Sequence, residues 1–209
     1  MTNLKLQQVS MRDPAFIFAD IDRLVHFALA HSFSELEVLP LFLKPVKQKA
    51  PQLKLASPVG FPFGHQAIEA KLSETVLALV DGADEIEWIL NMPAIRSGDY
   101  QYMAKEISTF LPVLSKMGKR ASLGLDVTLL NTEAINAVCD IIGPSSVFAV
   151  HLFSNDTASL PGKLAQARVL LPDATRVRTG IVNNQPDIEN LHADLLSLCC
   201  TIADIRDKE

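Results

Sequence analysis

Two glutamates spaced two residues apart, Glu85 and Glu87, stand in an apolar run that ends at Asn91, and a lone histidine, His151, stands in another. Alternate side chains of an extended strand share a face, so Glu85, Glu87, Ile89 and Asn91 point the same way. The same rule places Arg176 and Arg178 on one face of Thr175–Val182. A carboxylate and an imidazole can divide general acid–base work, and neighbouring arginines can grip an anion. Plainer readings stand beside these: a histidine on an apolar strand is more often a satisfied core residue, and Glu87 can merely balance an arginine. Other chemistries lack their patterns. There is no His-Glu-x-x-His run, P-loop or serine elbow, so neither a metal nor another cofactor is expected. His26 and His31 lie at a spacing that shares no helix face. Cys139, Cys199 and Cys200 are odd in number and show no base partner, and they read as core filler, not disulfides or nucleophiles.

The elements that must position these residues alternate along the chain. Short β-like runs fall at Leu4–Ser10, Glu35–Leu39, Leu53–Gly60, Glu85–Asn91, Ala121–Val127, Val147–Phe153, Thr175–Val182 and Leu195–Thr201. Between them lie helical patterns at Ala15–Ala30, His65–Val80, Asp99–Ser115, Thr132–Ile142 and Ser159–Leu171. Pro14 reads as a helix opener, and Gly82, Gly118 and Gly143 as helix stops. Alternating strands and helices imply an α/β fold with a parallel sheet. Eight such units in 209 residues favour a closed (β/α)8 TIM barrel over an open doubly wound sheet. The open sheet would want a glycine-rich turn after the first strand, and Ser10–Pro14 has no glycine. Residues 1–209 then form a single domain. Only Ile202–Glu209 follow the last strand, so the eighth helix is curtailed, which leaves an apolar flank and suggests a homo-oligomer.

The bulk numbers exclude several partners. The chain is 48% hydrophobic and 21% charged, with 19 basic against 24 acidic residues and a net charge of −5. That balance argues against nucleic acid and anionic membranes. No signal-peptide pattern opens the sequence, and a reducing cytoplasm is the expected location.

One stretch is specific. Val59-Gly-Phe-Pro-Phe-Gly64, Glu69-Ala-Lys71, Gly82-Ala-Asp-Glu-Ile-Glu87 and Ser97-Gly-Asp-Tyr100 resemble, in order and spacing, the deoxyribose-phosphate aldolase family. In that family a glycine-phenylalanine-proline turn ends strand three and a Gly-Ala-Asp-Glu run opens strand four. Weaker similarity continues through Leu123–Asn131 and Thr175–Ile181. The resemblance implies a class I aldolase that cleaves deoxyribose 5-phosphate to glyceraldehyde 3-phosphate and acetaldehyde through a lysine imine, without metal. The attacking lysine must be deprotonated, and a second lysine lowers its pKa by like-charge repulsion.

Carried over position by position, the resemblance assigns Glu87 to the strand-four acid, an aspartate in the family, and Asp126 to the strand-five acid. The imine lysine of strand six falls on His151, or on Val150 if one residue is deleted. No lysine lies between Arg120 and Gly162. The second lysine falls on Arg176, which keeps the charge but not the chemistry. Gly180 is the last glycine of the chain, so the family's phosphate-gripping turn after strand eight has no counterpart. On strand one, Gln8-Val9 stands where the family carries aspartate–histidine, and on strand two Glu37-Val-Leu39-Pro40 replaces a small residue. Lys44, just after strand two, is the candidate for a relocated nucleophile, and Lys71 reads as structural. The expectation is a barrel mouth of Glu87, Asp126, His151 and Asn91 facing Arg176 and Arg178. It would hold a small anionic metabolite or sugar phosphate, or neutralise itself, and would not form the family's imine.

Overall fold

The structure, a computed structural model, describes residues 5–182 and 193–206. Eight parallel strands close into a barrel in sequence order. They are β1 (Lys5–Met11), β2 (Glu35–Val38), β3 (Lys54–Val59), β4 (Glu85–Ile89), β5 (Arg120–Asp126), β6 (Ala149–Phe153), β7 (Arg176–Val182) and β8 (Leu195–Cys200). Each expected strand is present within two residues of its predicted ends; Leu4 lies outside the described residues. Closure around the last strand is complete, because β8 pairs with both β7 and β1. The seam carries one irregularity, between Leu6 and Gln8.

Helices cover the outside: α1 (Ile21–Ala30), α2 (Pro40–Lys49), α3 (Ile68–Val80), α4 (Met92–Arg96), α5 (Tyr100–Lys116), α6 (Thr132–Ile142), α7 (Leu160–Leu170) and α8 (Ile202–Arg206). Pro14 does not open the first helix. A turn closes there through Phe16 N–H to Asp13, and helical geometry begins with a 3-10 turn at Phe18–Asp20. The last described helix is α8, Ile202–Arg206, and residues 207–209 lie outside the described residues. No helix among the described residues is long and apolar enough to cross a membrane.

Strand alternation sorts the side chains into two populations. Val9, Leu36, Leu55, Ile86, Trp88, Leu123, Val150 and Val177 face outward and are buried under the helices. That apolar sleeve supplies the hydrophobic stabilisation. The inner face is polar, with Gln8, Ser10, Glu35, Glu37, Glu85, Glu87, Ser122, His151 and Arg178 all buried. Barrels of this kind more often fill that space with branched apolar side chains.

The top of β3 and β4 is fixed by two devices. Gly64 has φ +67°, and a Cβ there would stand 2.2 Å from the Leu90 carbonyl oxygen, so only glycine lets the β3–α3 turn lie on the end of β4. Behind it, Lys71 of α3 is fully buried and donates to the Ile89 carbonyl at 2.9 Å and to Glu106 of α5 at 2.7 Å. Glu106 also accepts from the Asn91 N–H at 3.2 Å. Burial pushes the Lys71 ammonium below the usual lysine pKa, against the opposing pull of Glu106. Lys71→Met should therefore cost about 3–5 kcal/mol, because Glu106 would be left charged and unpaired. Adding Glu106→Gln should recover much of that loss. Urea unfolding of the two single variants and the double variant tests the coupling, and purely additive losses would refute it.

Candidate active site

The inward charges form two tiers. In the lower tier, Arg120 on β5 donates to Glu35 on β2 at 2.9 Å and pairs with Glu85 on β4 at 3.0 Å. Arg178 on β7 donates to the same Glu85 at 2.7 Å, and Ser122 completes its shell at 2.6 Å. In the upper tier, Arg12 follows β1 and makes a two-pronged contact with Glu37 on β2, at 2.7 and 2.9 Å. Its Nη2 also donates to Glu87 at 2.7 Å, and Ser10 donates to Glu37 at 2.6 Å. The other oxygen of Glu87 accepts from His151 Nδ1 at 2.8 Å. Arg178 lies 3.9 Å from Glu87 and joins the tiers.

Strand register explains how these side chains meet. Gly124 on β5 pairs with His151, and Ser122 pairs with Glu87. A Cβ at Gly124 would sit 2.8 Å from Glu87 Oε1 and 2.5 Å from Ile89 Cδ1. The missing side chain is what admits the longer glutamate. Burial by itself would raise the Glu87 pKa, but Arg12, His151 and Arg178 overrule it and hold the carboxyl far below its ordinary range. Glu85 is held down in the same way by Arg178 and Arg120. Since Glu87 is ionised it can only accept, so Nδ1 of His151 carries the proton toward it. In the neutral ring, Nε2 then presents a lone pair to the other side.

That nitrogen is buried and finds no hydrogen-bond partner among the described residues. His151 lines a cavity of about 260 Å³ at the C-terminal end of the barrel, with Arg12, Phe61, Phe153, Gly180 and Cys199. Such mouths are where barrels of this fold carry their chemistry. A second cavity, of about 530 Å³, opens beside it over β3 to β5 and includes Phe63, His65, Arg96 and Asp126.

The predicted site residues therefore divide. Glu87, His151 and Gly180 come together at the mouth, and Arg178 lies directly beneath them. His151 faces inward while Val150 faces outward, so the ungapped register is the one that puts a side chain inside. Asp126 is at the mouth but in the neighbouring cavity, where its Oδ1 accepts from the Thr128 N–H at 2.8 Å. Three positions need correction. Asn91 is not a ligand-facing residue: β4 ends at Ile89, and the Asn91 Oδ1 caps α4 by accepting from Ala94 N–H at 3.0 Å. Arg176 shares the face of Arg178 but begins β7 at the opposite end of the barrel, where it is exposed. Lys44 is exposed on α2, because Phe42, Leu43 and Val46 take the barrel-facing side.

Two residues were missed. Arg12 continues the inward series Gln8, Ser10, Arg12, a signal present in the alternation but beyond the expected end of the strand. Cys199 is inward on β8 by the same count, two residues after Ser197; core filler describes Cys139 and Cys200, which are buried, but not Cys199.

The pairing has a consequence for acid stability. Both Glu85 and Glu87 have folded pKa values below the ordinary 4.5, so the unfolded chain binds more protons as the pH falls. Their stabilisation is complete above about pH 4.5 and is lost as the pH drops through the folded values. Urea midpoints should fall steadily from pH 5 to pH 3, and Glu87→Gln should flatten part of that slope while lowering stability at pH 7. A midpoint constant between pH 5 and 3 would contradict the network.

No family model matches the sequence. It is similar to the deoxyribose-phosphate aldolase of Aciduliprofundum boonei, 31% identical over 124 residues, which is 58% of this chain and 56% of that protein. At that level of identity the chain thus spans little more than half the length of the relative it matches. A longer match, to the deoxyribose-phosphate aldolase of Metamycoplasma arthritidis, covers 84% of this chain and 85% of that protein at 24% identity. Among solved structures, the tetrameric deoxyribose phosphate aldolase from Aeropyrum pernix superposes with a TM-score of 0.76. It covers 91% of this chain and 84% of its own at 19% identity, a likeness of fold alone. The order of the matched motifs, the closed eight-strand barrel and these relatives agree: the chain is a deoxyribose-phosphate-aldolase-like barrel.

Proposed function

We propose that this barrel binds a small anionic carbonyl compound at its mouth and does not process it through a lysine imine. The observation that carries the reading is His151. The resemblance assigns its position to the imine lysine, and the inward-facing side chain there is an imidazole bonded to Glu87. Neither mouth cavity has a lysine in its lining among the described residues. The mouth-side Lys163 of α7 donates to the Val127 and Thr128 carbonyls, which ties down the β5–α6 loop.

A ligand at this mouth meets one guanidinium nitrogen and one imidazole. Arg12 uses Nε and Nη2 on Glu37 and Glu87, and its Nη1 makes no hydrogen bond among the described residues. That nitrogen can donate to a carboxylate or phosphate oxygen of a ligand. His151 Nε2, with Nδ1 fixed by Glu87, is arranged as a general base. This favours acid–base chemistry on a carbonyl compound as the second reading, over a barrel that only binds. Self-association, as in the tetrameric Aeropyrum pernix structure, is part of this reading.

Borohydride trapping with acetaldehyde or deoxyribose 5-phosphate, read by intact mass beside a working family member, tests the proposal. We expect the control to gain a single reduced adduct and this protein to gain none on any lysine. A stoichiometric adduct mapped to one lysine, whether Lys44, Lys71 or Lys163, would overturn the reading.

A further inference from the structure

The cavity over His151 contains a thiol that neither the fold nor the charge network requires. Cys199 stands near the C-terminal end of β8, in register with Ser10 on β1 and Val182 on β7. A Cβ at Gly180 would lie 2.5 Å from its Sγ and 3.7 Å from His151 Nε2. The absence of a side chain at position 180 is therefore what opens the sulfur and the orphan nitrogen onto one space. Both line the cavity of about 260 Å³, together with Arg12, Phe61 and Phe153. Glu87 holds the far side of the imidazole at 2.8 Å. Carboxylate and imidazole are thus joined, and the thiol shares the imidazole's space without a hydrogen bond to Nε2, so a short approach of Sγ would complete the order that activates a nucleophile.

We propose that Cys199 is a reversible covalent capture site for small aldehydes, with His151 as its base and Glu87 as the residue that positions the imidazole. His151 Nε2 takes the Sγ proton while sulfur adds to the carbonyl carbon. The S–C bond forms as the carbonyl π pair moves onto oxygen. That oxygen takes the proton back from Nε2, leaving a thiohemiacetal. Nothing is oxidised or reduced, no group leaves, and no further reactant enters. Arg12 in the same cavity supplies positive potential for the charge that builds on oxygen. The small, partly aromatic cavity suits an aldehyde of a few heavy atoms.

Burial pushes the Cys199 thiol up to about 11, so it holds no standing thiolate near neutral pH. Its reactivity must then depend on the base beside it. Cys139 is pushed up to about 11 by burial as well, and it lies on α6 outside the barrel, which makes it an internal control. The inference rests on the reading that the mouth accepts a small carbonyl compound. It is nonetheless tested apart from that reading, because borohydride reports on lysine imines and leaves a thiohemiacetal unmarked.

The experiment follows iodoacetamide labelling of the intact protein, with Cys139, Cys199 and Cys200 distinguished by fragment masses. Cys199 should label at least about a hundredfold faster than Cys139, the lower range for a positioned base. Acetaldehyde should protect Cys199 and ethanol should not. His151→Asn keeps an N–H toward Glu87 but removes the base, and should slow Cys199 at least about a hundredfold while leaving Cys139 unchanged. Equal labelling of Cys199 and Cys139 in the unaltered protein would refute the site without any variant. So would protection by ethanol as strong as by acetaldehyde, or an unchanged Cys199 rate in His151→Asn.

Discussion

A carboxylate sealed inside a barrel must either lose its charge or find a cation, and four of them are sealed inside this one. Glu35, Glu37, Glu85 and Glu87 are each nine-tenths or more buried on the inner face of two strands. Desolvating a single carboxylate costs several kcal/mol even after relaxation, so every partner around them is constrained. Arg120 and Arg178 must sit at the level of Glu85, and Arg12 must fold over the top of β1 to reach both Glu37 and Glu87. Ser10 and Ser122 must offer hydroxyls at the same two levels. Gly124 must stay small so that Glu87 has somewhere to lie. Such a network adds little net stability over a packed apolar core, but removing one member is expensive, and that asymmetry fixes the geometry of the mouth.

The same constraint decides what the mouth can grip. Arginines read from sequence alone suggest an anion site. Here Arg178 is committed to Glu85 and the Nε edge of Arg12 to Glu37, so most of the positive charge is neutralised before a ligand arrives. What the network leaves over is confined to its upper surface: the Nη1 of Arg12 and the Nε2 of His151. A polyanion would find too few donors there. A compound with one anionic group and one reactive carbonyl would find one partner for each.

The fold was legible because alternation and helical periodicity both survive in single stretches of this chain. All eight strands could be placed from apolar runs, and the outward residues Ile86, Trp88, Leu123 and Val150 make those runs apolar despite a charged inner face. The site was legible only in part, because alternation reports the face of a strand and not the height along it. Arg176 and Arg178 share a face, yet two residues of strand advance the chain by about 6.6 Å, enough to put one in the lower tier and the other at the far end. Asn91 failed for a related reason. Its face was extrapolated past Ile89, where the chain turns and α4 needs a cap. Arg12 was overlooked because the apolar run of β1 ends before it. Its role depends on two glutamates 25 and 75 residues away, which no local pattern can reveal.

The tiers also separate structural from chemical roles within one ionic system. The lower tier is held together by Arg120 and Arg178 on Glu35 and Glu85 and lies beneath the mouth, so it acts as a floor. In the upper tier both oxygens of Glu37 and of Glu87 are taken, and only Arg12 and His151 keep one nitrogen unused among the described residues. Glu87 is ionised because the floor and Arg12 make it so, its charge fixes the proton of His151 on Nδ1, and that choice aims a lone pair at the cavity. A lysine at position 151 would have faced the same carboxylate as an ammonium, held in the charged form that cannot attack a carbonyl. An imidazole in that place is put to use by the very field that would silence an amine. The surrounding charges of this barrel therefore fit a base at position 151 better than they fit an imine-forming nucleophile.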